Sequence, residues 1–191
     1  MDKKVIKGIL IVALLTGLYF LNIQQQKEYE NTEIQFLNVE KSLIKKIIIS
    51  SKNDAIELTS IDSSWAISGN DSLIIKPNVV ENLLAKLYDI KKEHKVTSKE
   101  EKWVVYKVDP PSGTHLAFIG DGGNTLAYYV FGQANEYIKC YVRTDQNKEV
   151  YLLNSNIMFQ LRTDPNFWGE VPKKEIVIPD SSLIDSSAIS F

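Results

Sequence analysis

The chain has 191 residues, of which 44% are hydrophobic and 24% are charged, and its formal net charge is −2. This composition is typical of a globular domain and excludes a disordered tail or a collagen-like fibre. Only two of the 22 basic residues are arginines, Arg143 and Arg162. Because arginine supplies the bidentate phosphate contacts of most nucleic-acid-binding proteins, no nucleic-acid partner is expected.

The cysteine and histidine content argues against a disulfide and a metal centre. Cys140 is the single cysteine, which excludes an intrachain disulfide and a cysteine-based zinc site. His94 and His115 are isolated from each other in the sequence. No metal and no cofactor are therefore predicted.

A hydrophobic segment follows a basic N-terminus. Lys3, Lys4 and Lys7 precede residues 8–23, which carry no charge, and Lys27 follows them. As a helix, this segment is about 24 Å long, and its flanking residues with a snorkelling lysine extend it towards a bilayer core of roughly 30 Å. The pattern predicts a membrane anchor that includes Gly8, Leu10, Leu14, Leu18 and Phe20.

The anchor is expected to stay uncleaved and to cross the membrane once. No small-x-small cleavage site follows the apolar core, which favours an anchor over a cleaved signal peptide; a buried helix of a soluble protein is the third alternative. The lysines place the short N-terminal side in the cytoplasm and the rest of the chain outside.

Residues 28–43 are polar and predict a short stalk between the anchor and a folded domain. From about residue 44, the sequence changes to short β-branched runs or to alternating apolar and polar positions. These runs predict strands at residues 47–49, 56–58 and 65–67.

A helix is predicted after these strands. Pro77 suits a first helical turn, and apolar residues then recur every three or four positions, at Val80, Leu83, Leu84, Leu87 and Ile90. His94 is predicted to lie in the lysine-rich end of this helix. Ser98 with Glu101 forms a capping-box pattern, which predicts a second, short helix that ends before Asp109.

The second half of the chain predicts an antiparallel meander, because short polar links separate its apolar runs. Its strands are expected near residues 115–119, 125–131, 137–143 and 149–153, with a short helix near 157–161 and a strand at 175–178. The fold class is α+β: an N-terminal transmembrane helix followed by a mainly antiparallel sheet with one long and one or two short packed helices. The predicted units are residues 1–27 (cytoplasmic tip and anchor), 28–43 (stalk), 44–172 (exported α+β domain) and 173–191 (C-terminal strand and tail).

The order of these features resembles the domain of unknown function 4340 family. The matching pieces are the anchor, residues 47–49, Trp65-Ala66-Ile67, Leu83-Leu84, residues 106–110, residues 118–120, Tyr141-Val142-Arg143, residues 150–152 and Phe167-Trp168. The family usually has glycine and leucine where Lys107 and Val108 stand, and its members are often longer, with a second similar unit.

The resemblance implies a bacterial envelope protein, often encoded beside, or fused to, gliding-motility-type ABC transporter components. The implied location is the bacterial inner membrane, with the N-terminus in the cytoplasm and the C-terminal domain in the periplasm. The implied partners are other envelope membrane proteins, such as an ABC transporter permease or its accessory subunit. The family contributes no catalytic residues.

The residues with chemical potential are better explained by structure. Residues 120–124 contain three glycines but lack the Lys-Ser/Thr pair of a phosphate-binding loop and are followed by a strand, which indicates a hairpin turn. Cys140 alternates in phase with Ile138 and Val142 and is therefore predicted to face the core. Trp168 is expected to attach the chain end to the core. With no nucleophile beside a base, the chain is predicted not to be an enzyme.

One candidate contact surface emerges from the meander. Tyrosine and arginine are enriched at the centres of protein interfaces, and both recur on two neighbouring predicted strands. The candidate partner-contact residues are Tyr137, Lys139, Tyr141, Arg143, Tyr129 and Phe131, with Tyr128 beside them. Ordinary cross-strand packing is the alternative explanation.

Two classes of function remain. The first is a non-enzymatic, membrane-anchored accessory or scaffold subunit of an envelope complex. The second is an exported ligand-binding or sensor domain, or an envelope hydrolase whose site the sequence does not reveal. The first is preferred, because no set of residues forms a coherent catalytic group.

Overall fold

Ten β-strands and two α-helices make up the regular structure of the described domain. The structure is a computed structural model that describes residues 13, 15–20, 36–62, 64–145 and 147–172. The strands are β1 (Lys46–Ser51), β2 (Asp54–Ile61), β3 (Ser64–Ile67), β4 (Ile74–Ile75), β5 (Lys92–Thr97), β6 (Thr114–Ile119), β7 (Thr125–Gln133), β8 (Cys140–Thr144), β9 (Val150–Leu153) and β10 (Gly169–Glu170). The helices are α1 (Val79–Asp89) and α2 (Pro165–Trp168), and 3₁₀ turns lie at Lys41–Leu43, Glu100–Lys102 and Asp121–Gly123.

Eight strands form one sheet in the order β3-β2-β1-β6-β7-β8-β9-β5, while β4 pairs with β10. All of these pairings are antiparallel. Ile47 of β1 lies opposite Leu58 of β2 and Phe118 of β6, so these three side chains point to the same face of the sheet. The predicted α+β class with a mainly antiparallel sheet is confirmed.

Helix α1 covers one face of the sheet, which we call the helix face. The three-and-four spacing places its apolar side chains on one side of the helix, where Val80, Leu83, Leu84 and Leu87 are buried. They join one core with strand residues such as Ile47, Leu58, Phe118 and Val142. Each buried side chain of this size contributes on the order of 1.5–3 kcal/mol, so this stripe holds α1 against the sheet.

The buried core of the described residues begins within the segment predicted as a stalk. Phe36 is 3% exposed and Leu37 is 1% exposed, and both belong to the main core. The Tyr88 hydroxyl of α1 donates a 2.6 Å hydrogen bond to the Val39 carbonyl oxygen. The folded domain therefore starts before residue 44.

The link from β5 to β6 covers part of the other face of the sheet, which we call the opposite face. Strand β5 lies at the sheet edge and β6 lies four positions away, so residues 98–113, the crossing segment, must pass over β9, β8 and β7. Trp103, Tyr106 and Val108 of this segment pack there against Val130 and Val150. The sheet consequently has a main core on the helix face and a small second core on the opposite face.

Two predictions for residues 90–108 are wrong. His94 lies in β5 rather than in a helix end, because α1 ends at Asp89 and the charged run that follows pairs with β9. The Ser98–Glu101 capping box does not form: the 3₁₀ turn at Glu100–Lys102 has Lys99 at its N-cap, without a side-chain cap. The predicted short helix itself forms as this 3₁₀ turn, and local hydrogen-bonded turns continue it as far as Val108.

The predicted helix at residues 157–161 is also wrong, because these residues form turns. A short helix follows instead at α2. Its N-cap is Asp164, whose side chain accepts a 3.0 Å hydrogen bond from the Asn166 amide, and Pro165 occupies its first turn. Trp168, at the end of α2, is fully buried, as predicted for a residue that attaches the chain end to the core.

The ends of the chain are described only in part. Residues 13 and 15–20 are helical and exposed, and among them are the predicted anchor residues Leu18 and Phe20. The other predicted anchor residues, Gly8, Leu10 and Leu14, and the predicted strand at 175–178 lie outside the described residues. Within the described part of the chain, no helix combines the length and the apolar character needed to cross a bilayer.

Lys107 adopts a left-handed backbone conformation, with φ at +54°. This conformation costs a residue with a side chain roughly 1–2 kcal/mol, whereas glycine adopts it freely and loses only about 0.5–1 kcal/mol through the entropy of its unfolded chain. Glycine therefore suits this backbone position better than lysine does.

We expect Lys107→Gly to raise the free energy of unfolding by about 0.5–1 kcal/mol, measured by chemical denaturation of the full chain in mild detergent. Lys102→Gly is the matched control. Lys102 lies in the 3₁₀ turn of the same segment, so its replacement is expected to lower stability. A lower free energy of unfolding for Lys107→Gly would contradict the inference that the left-handed conformation of Lys107 costs stability.

Candidate contact sites on the domain

The six candidate contact residues do not form one surface. Across β7 and β8, Tyr141 lies opposite Gly132 and Arg143 lies opposite Val130, which places them on the opposite face. Tyr129 and Phe131, in contrast, point into the main core on the helix face. The two remaining residues, Tyr137 and Lys139, precede β8 altogether. The prediction that Tyr137 and Lys139 share a face with Tyr141 and Arg143 is wrong. Strand β8 begins at Cys140, so the alternation of side chains along the strand does not apply to the residues before it.

Tyr129 and Phe131 bind the N-terminal part of the domain rather than a partner. Their exposed fractions are 6% and 0%, and their ring centroids lie 4.4 Å and 5.7 Å from that of Phe36. The Tyr129 hydroxyl donates a 3.4 Å hydrogen bond to the Phe36 carbonyl oxygen. Burial raises the pKa of Tyr129 to about 12, which keeps this donor protonated. These two residues cannot reach a partner in the folded domain.

Cys140 faces the main core, as predicted from its strand position. It is fully buried, and its thiol donates a 3.4 Å hydrogen bond to the Ser155 carbonyl oxygen. Burial raises its pKa to about 11, so the reactive thiolate is scarce at neutral pH.

Arg143 is the charged centre of the second core. It is only 7% exposed, its Nε–H donates a 2.7 Å hydrogen bond to the Val108 carbonyl oxygen, and its guanidinium carbon lies 4.0 Å from the ring centroid of Trp103. The Trp103 indole in turn donates a 3.0 Å hydrogen bond to the Lys148 carbonyl oxygen. Burial lowers the pKa of Arg143, although the group remains charged. Arg143 therefore ties the crossing segment to β8.

Aromatic contacts reinforce the same attachment. The rings of Tyr141 and Tyr106 meet edge-on with centroids 4.8 Å apart. His115 of β6 contacts the Pro110 carbonyl oxygen through Nε2 and the Tyr128 hydroxyl through Nδ1. Because a carbonyl oxygen can only accept, Nε2 donates to Pro110.

A second candidate site lies at the sheet end where β7 passes into β8. Residues 134–139 and 154–161 adjoin there, because the Asn156 side-chain amide donates a 2.7 Å hydrogen bond to the Tyr137 carbonyl oxygen. Tyr137, Ile138 and Phe159 are 76%, 71% and 60% exposed. We call these three residues the loop end. Such large apolar side chains in solvent mark a surface suited to protein contact.

Lys139 stands at the base of the loop end and is already paired. Its ammonium group lies 2.8 Å from the Glu93 carboxylate on β5, and this hydrogen bond raises the pKa of Lys139. The ion pair joins residues 134–139 to the edge strand. Because its ammonium group is already in this ion pair, Lys139 positions the loop rather than making the first contact with a partner.

Sequence reasoning missed two of the three residues of the loop end. Alternation with Cys140 predicts that Ile138 faces the core, but Ile138 precedes the strand, so the alternation does not apply. Phe159 lies in the predicted helix at residues 157–161, which does not form. No local pattern identifies either residue as exposed.

A cleft of about 330 Å³ lies at the other end of β7. Its lining mixes aromatic and polar side chains, among them Phe36, Asn38, Tyr128, Thr144 and Asp145. This is the concave surface that a ligand-binding domain, the alternative class of function, requires. Among the described residues, no three His, Cys, Asp or Glu side chains are grouped in a way that could hold a metal ion.

These observations define an α+β domain whose antiparallel sheet is covered by a helix on one face and by a crossing segment on part of the other. Residues 65–171, more than half of the chain, match the family Domain of unknown function (DUF4340). The chain belongs to this family, which confirms the resemblance for the pieces that lie within residues 65–171. No curated protein and no solved structure matches the chain.

Proposed function

We propose that this protein is a non-enzymatic, membrane-anchored accessory or scaffold subunit of a bacterial envelope complex. Its N-terminal segment anchors it in the inner membrane, and its exported domain binds other envelope proteins. An ABC-type transport or gliding-motility system is the proposed setting, and the support for that setting is the family resemblance alone.

The observation that carries this proposal is the loop end. Most large apolar side chains of the domain are buried in two cores, whereas Tyr137, Ile138 and Phe159 are more than half exposed on two loops that adjoin at Asn156. The loops are held in place by the Asn156 hydrogen bond and the Lys139–Glu93 ion pair. An apolar surface on loops that are already fixed loses less conformational entropy on binding than a mobile one.

The test is co-purification from cells with the full chain in mild detergent. We expect the double variant Tyr137→Ser with Ile138→Ser to reduce co-purifying envelope membrane proteins at least about tenfold, since truncated interface anchors cost about 2 kcal/mol or more. Its melting temperature should stay near that of the unchanged chain, because exposed positions alter stability by only about 0.5 kcal/mol.

The matched control is Ile61→Ser with Ile74→Ser. These two isoleucines are 54% and 51% exposed, and Ile61 ends β2 at the sheet end remote from the loop end. The control should retain the co-purifying proteins. Equal recovery of partners from the loop-end variant and the unchanged chain would contradict the proposed contact.

A further inference from the structure

Oxygen acceptors line the cleft of about 330 Å³ at the start of β7. Asn38, Thr125 and Asp145 lie on its wall and are exposed. None of these three side chains forms a hydrogen bond or an ion pair within the described part of the chain. An amide oxygen, a hydroxyl and a carboxylate can therefore accept hydrogen bonds from a ligand in the cleft.

Hydrogen bonds on both sides of Asp145 hold its backbone at the cleft. The Asp145 amide donates a 3.3 Å hydrogen bond to the Tyr128 carbonyl oxygen. In the turn that follows, the side-chain oxygen of Asn147 accepts a 3.4 Å hydrogen bond from the Thr144 hydroxyl and a 3.1 Å hydrogen bond from the Glu149 amide. The carboxylate of Asp145 is thus carried by a backbone that is already positioned, which lowers the entropy cost of binding.

The charges at the cleft favour a cation. Asp145 is the charged residue of the lining, which contains no lysine, arginine or histidine. Arg143 is close enough to act on Asp145, but Glu100 and Asp109 act on Arg143 as well. Lys148 forms a 2.8 Å ion pair with Glu100. Three carboxylates therefore stand against two cationic groups, and the region attracts a positively charged ligand.

The remaining lining suits an organic ammonium better than a metal ion. Calcium takes six to eight oxygen ligands, whereas no three His, Cys, Asp or Glu side chains of the described residues are grouped to hold a metal. A primary ammonium has three N–H donors, which match the amide, hydroxyl and carboxylate acceptors. Val39 and Leu126, which are partly buried, add apolar surface for an alkyl chain. The volume is near the lower end of the range for small-molecule sites, about 300 Å³.

We propose that this cleft binds an aliphatic primary ammonium, with the charged group at Asp145 and the alkyl chain against Leu126. A free amine and a lysine side chain share this chemistry, and the experiment below separates the two sources. The cleft lies at the start of β7 and the loop end lies beyond the end of this strand. The inference consequently stands whether or not the loop end binds a partner.

The test is a saturation-transfer NMR titration of the full chain in non-ionic detergent, with micelles alone as the blank. The probes are butylammonium, its uncharged match butanol, its anionic match butyrate, and tetramethylammonium, which has no N–H donor. We expect saturable binding of butylammonium and at least about tenfold weaker binding of the other three, because hydrogen bonds to charged groups contribute more than neutral ones.

Two acid-to-amide variants locate the site. Asp145→Asn should weaken butylammonium binding at least about tenfold, since it removes the charge and keeps the shape. Asp54→Asn is the matched control, because Asp54 is also exposed but lies at the other end of the sheet. It should leave the affinity unchanged. Thr125→Val, which removes one acceptor, should weaken binding at least about twofold and decides the question if Asp145→Asn does not fold.

Three results would overturn the inference. Equal binding of butylammonium and butanol would show that the cleft does not recognise charge. Binding of tetramethylammonium as tight as that of butylammonium would contradict the primary ammonium assignment. Unchanged binding by folded Asp145→Asn would exclude this cleft as the site. If binding is confirmed, acetylated, amidated lysine identifies the source: tighter binding than butylammonium indicates a protein lysine, and weaker binding indicates a free amine.

Discussion

Gly132→Ala is expected to destabilise the domain by about 3 kcal/mol or more. A Cβ atom at Gly132 would overlap the Tyr106 carbonyl oxygen and lie 2.8 Å from that of Lys107. Both obstacles are backbone atoms of the crossing segment, so no side-chain rotation removes the clash. The crossing segment must therefore shift away from β7, which separates Trp103 from Arg143.

Chemical denaturation and Trp fluorescence of the full chain measure this effect. Gln133→Ala is the control, because the neighbouring Gln133 is exposed at the end of the same strand. It should change the free energy of unfolding by no more than about 0.5 kcal/mol. A Gly132→Ala chain as stable as the control would mean that the crossing segment does not lie on β7.

Trp168→Ala is expected to cost about 3–5 kcal/mol, the range for removal of a fully buried large aromatic side chain. Trp168 has no exposed surface, and its indole donates a 2.7 Å hydrogen bond to the Arg162 carbonyl oxygen. Its own carbonyl oxygen accepts a 2.8 Å hydrogen bond from the Lys76 amide, next to the β4–β10 pair. Loss of the ring therefore opens a cavity and loosens α2 together with β4.

Phe159→Ala is the matched control for this substitution. Phe159 is also aromatic but is 60% exposed, so its truncation should change stability by no more than about 0.5 kcal/mol. Thermal and chemical unfolding of both variants give the comparison. Equal losses of stability in the two variants would contradict the assignment of Trp168 to the core and of Phe159 to the surface.

The sequence best predicts those elements whose apolar residues recur at a regular spacing. The stripe of Val80, Leu83, Leu84 and Leu87 predicts α1 almost to its ends, and the glycines of the Asp121–Gly123 turn predict the β6–β7 link. Alternation also predicts most strands and the inward position of Cys140. These features depend on local chemistry, which a single sequence contains.

The missed parts depend on contacts between residues far apart in sequence. Half of the residues of β5 are charged, and this segment is a strand because it pairs with β9. The sequence predicts Arg143 on a candidate contact surface, but the crossing segment covers it. Val108, which accepts its hydrogen bond, is 35 residues away in the sequence. The loop end likewise depends on the approach of residues 154–161 to residues 134–139. The spacing of apolar residues along the sequence does not reveal such long-range contacts.

The most direct test of the proposed function is the topology of the chain in the membrane. Asn53 is exposed in the turn between β1 and β2, so Asn53→Cys offers a reactive thiol. The native Cys140 is fully buried and its pKa is raised to about 11, so it contributes little background labelling. Asp2→Cys is the matched variant on the predicted cytoplasmic side.

Cells with a permeabilised outer membrane are treated with a membrane-impermeant maleimide before and after the inner membrane is broken. The proposal predicts labelling of Asn53→Cys in intact spheroplasts and of Asp2→Cys only after lysis. Protection of Asn53→Cys until lysis would place the domain in the cytoplasm and contradict an anchored, exported scaffold.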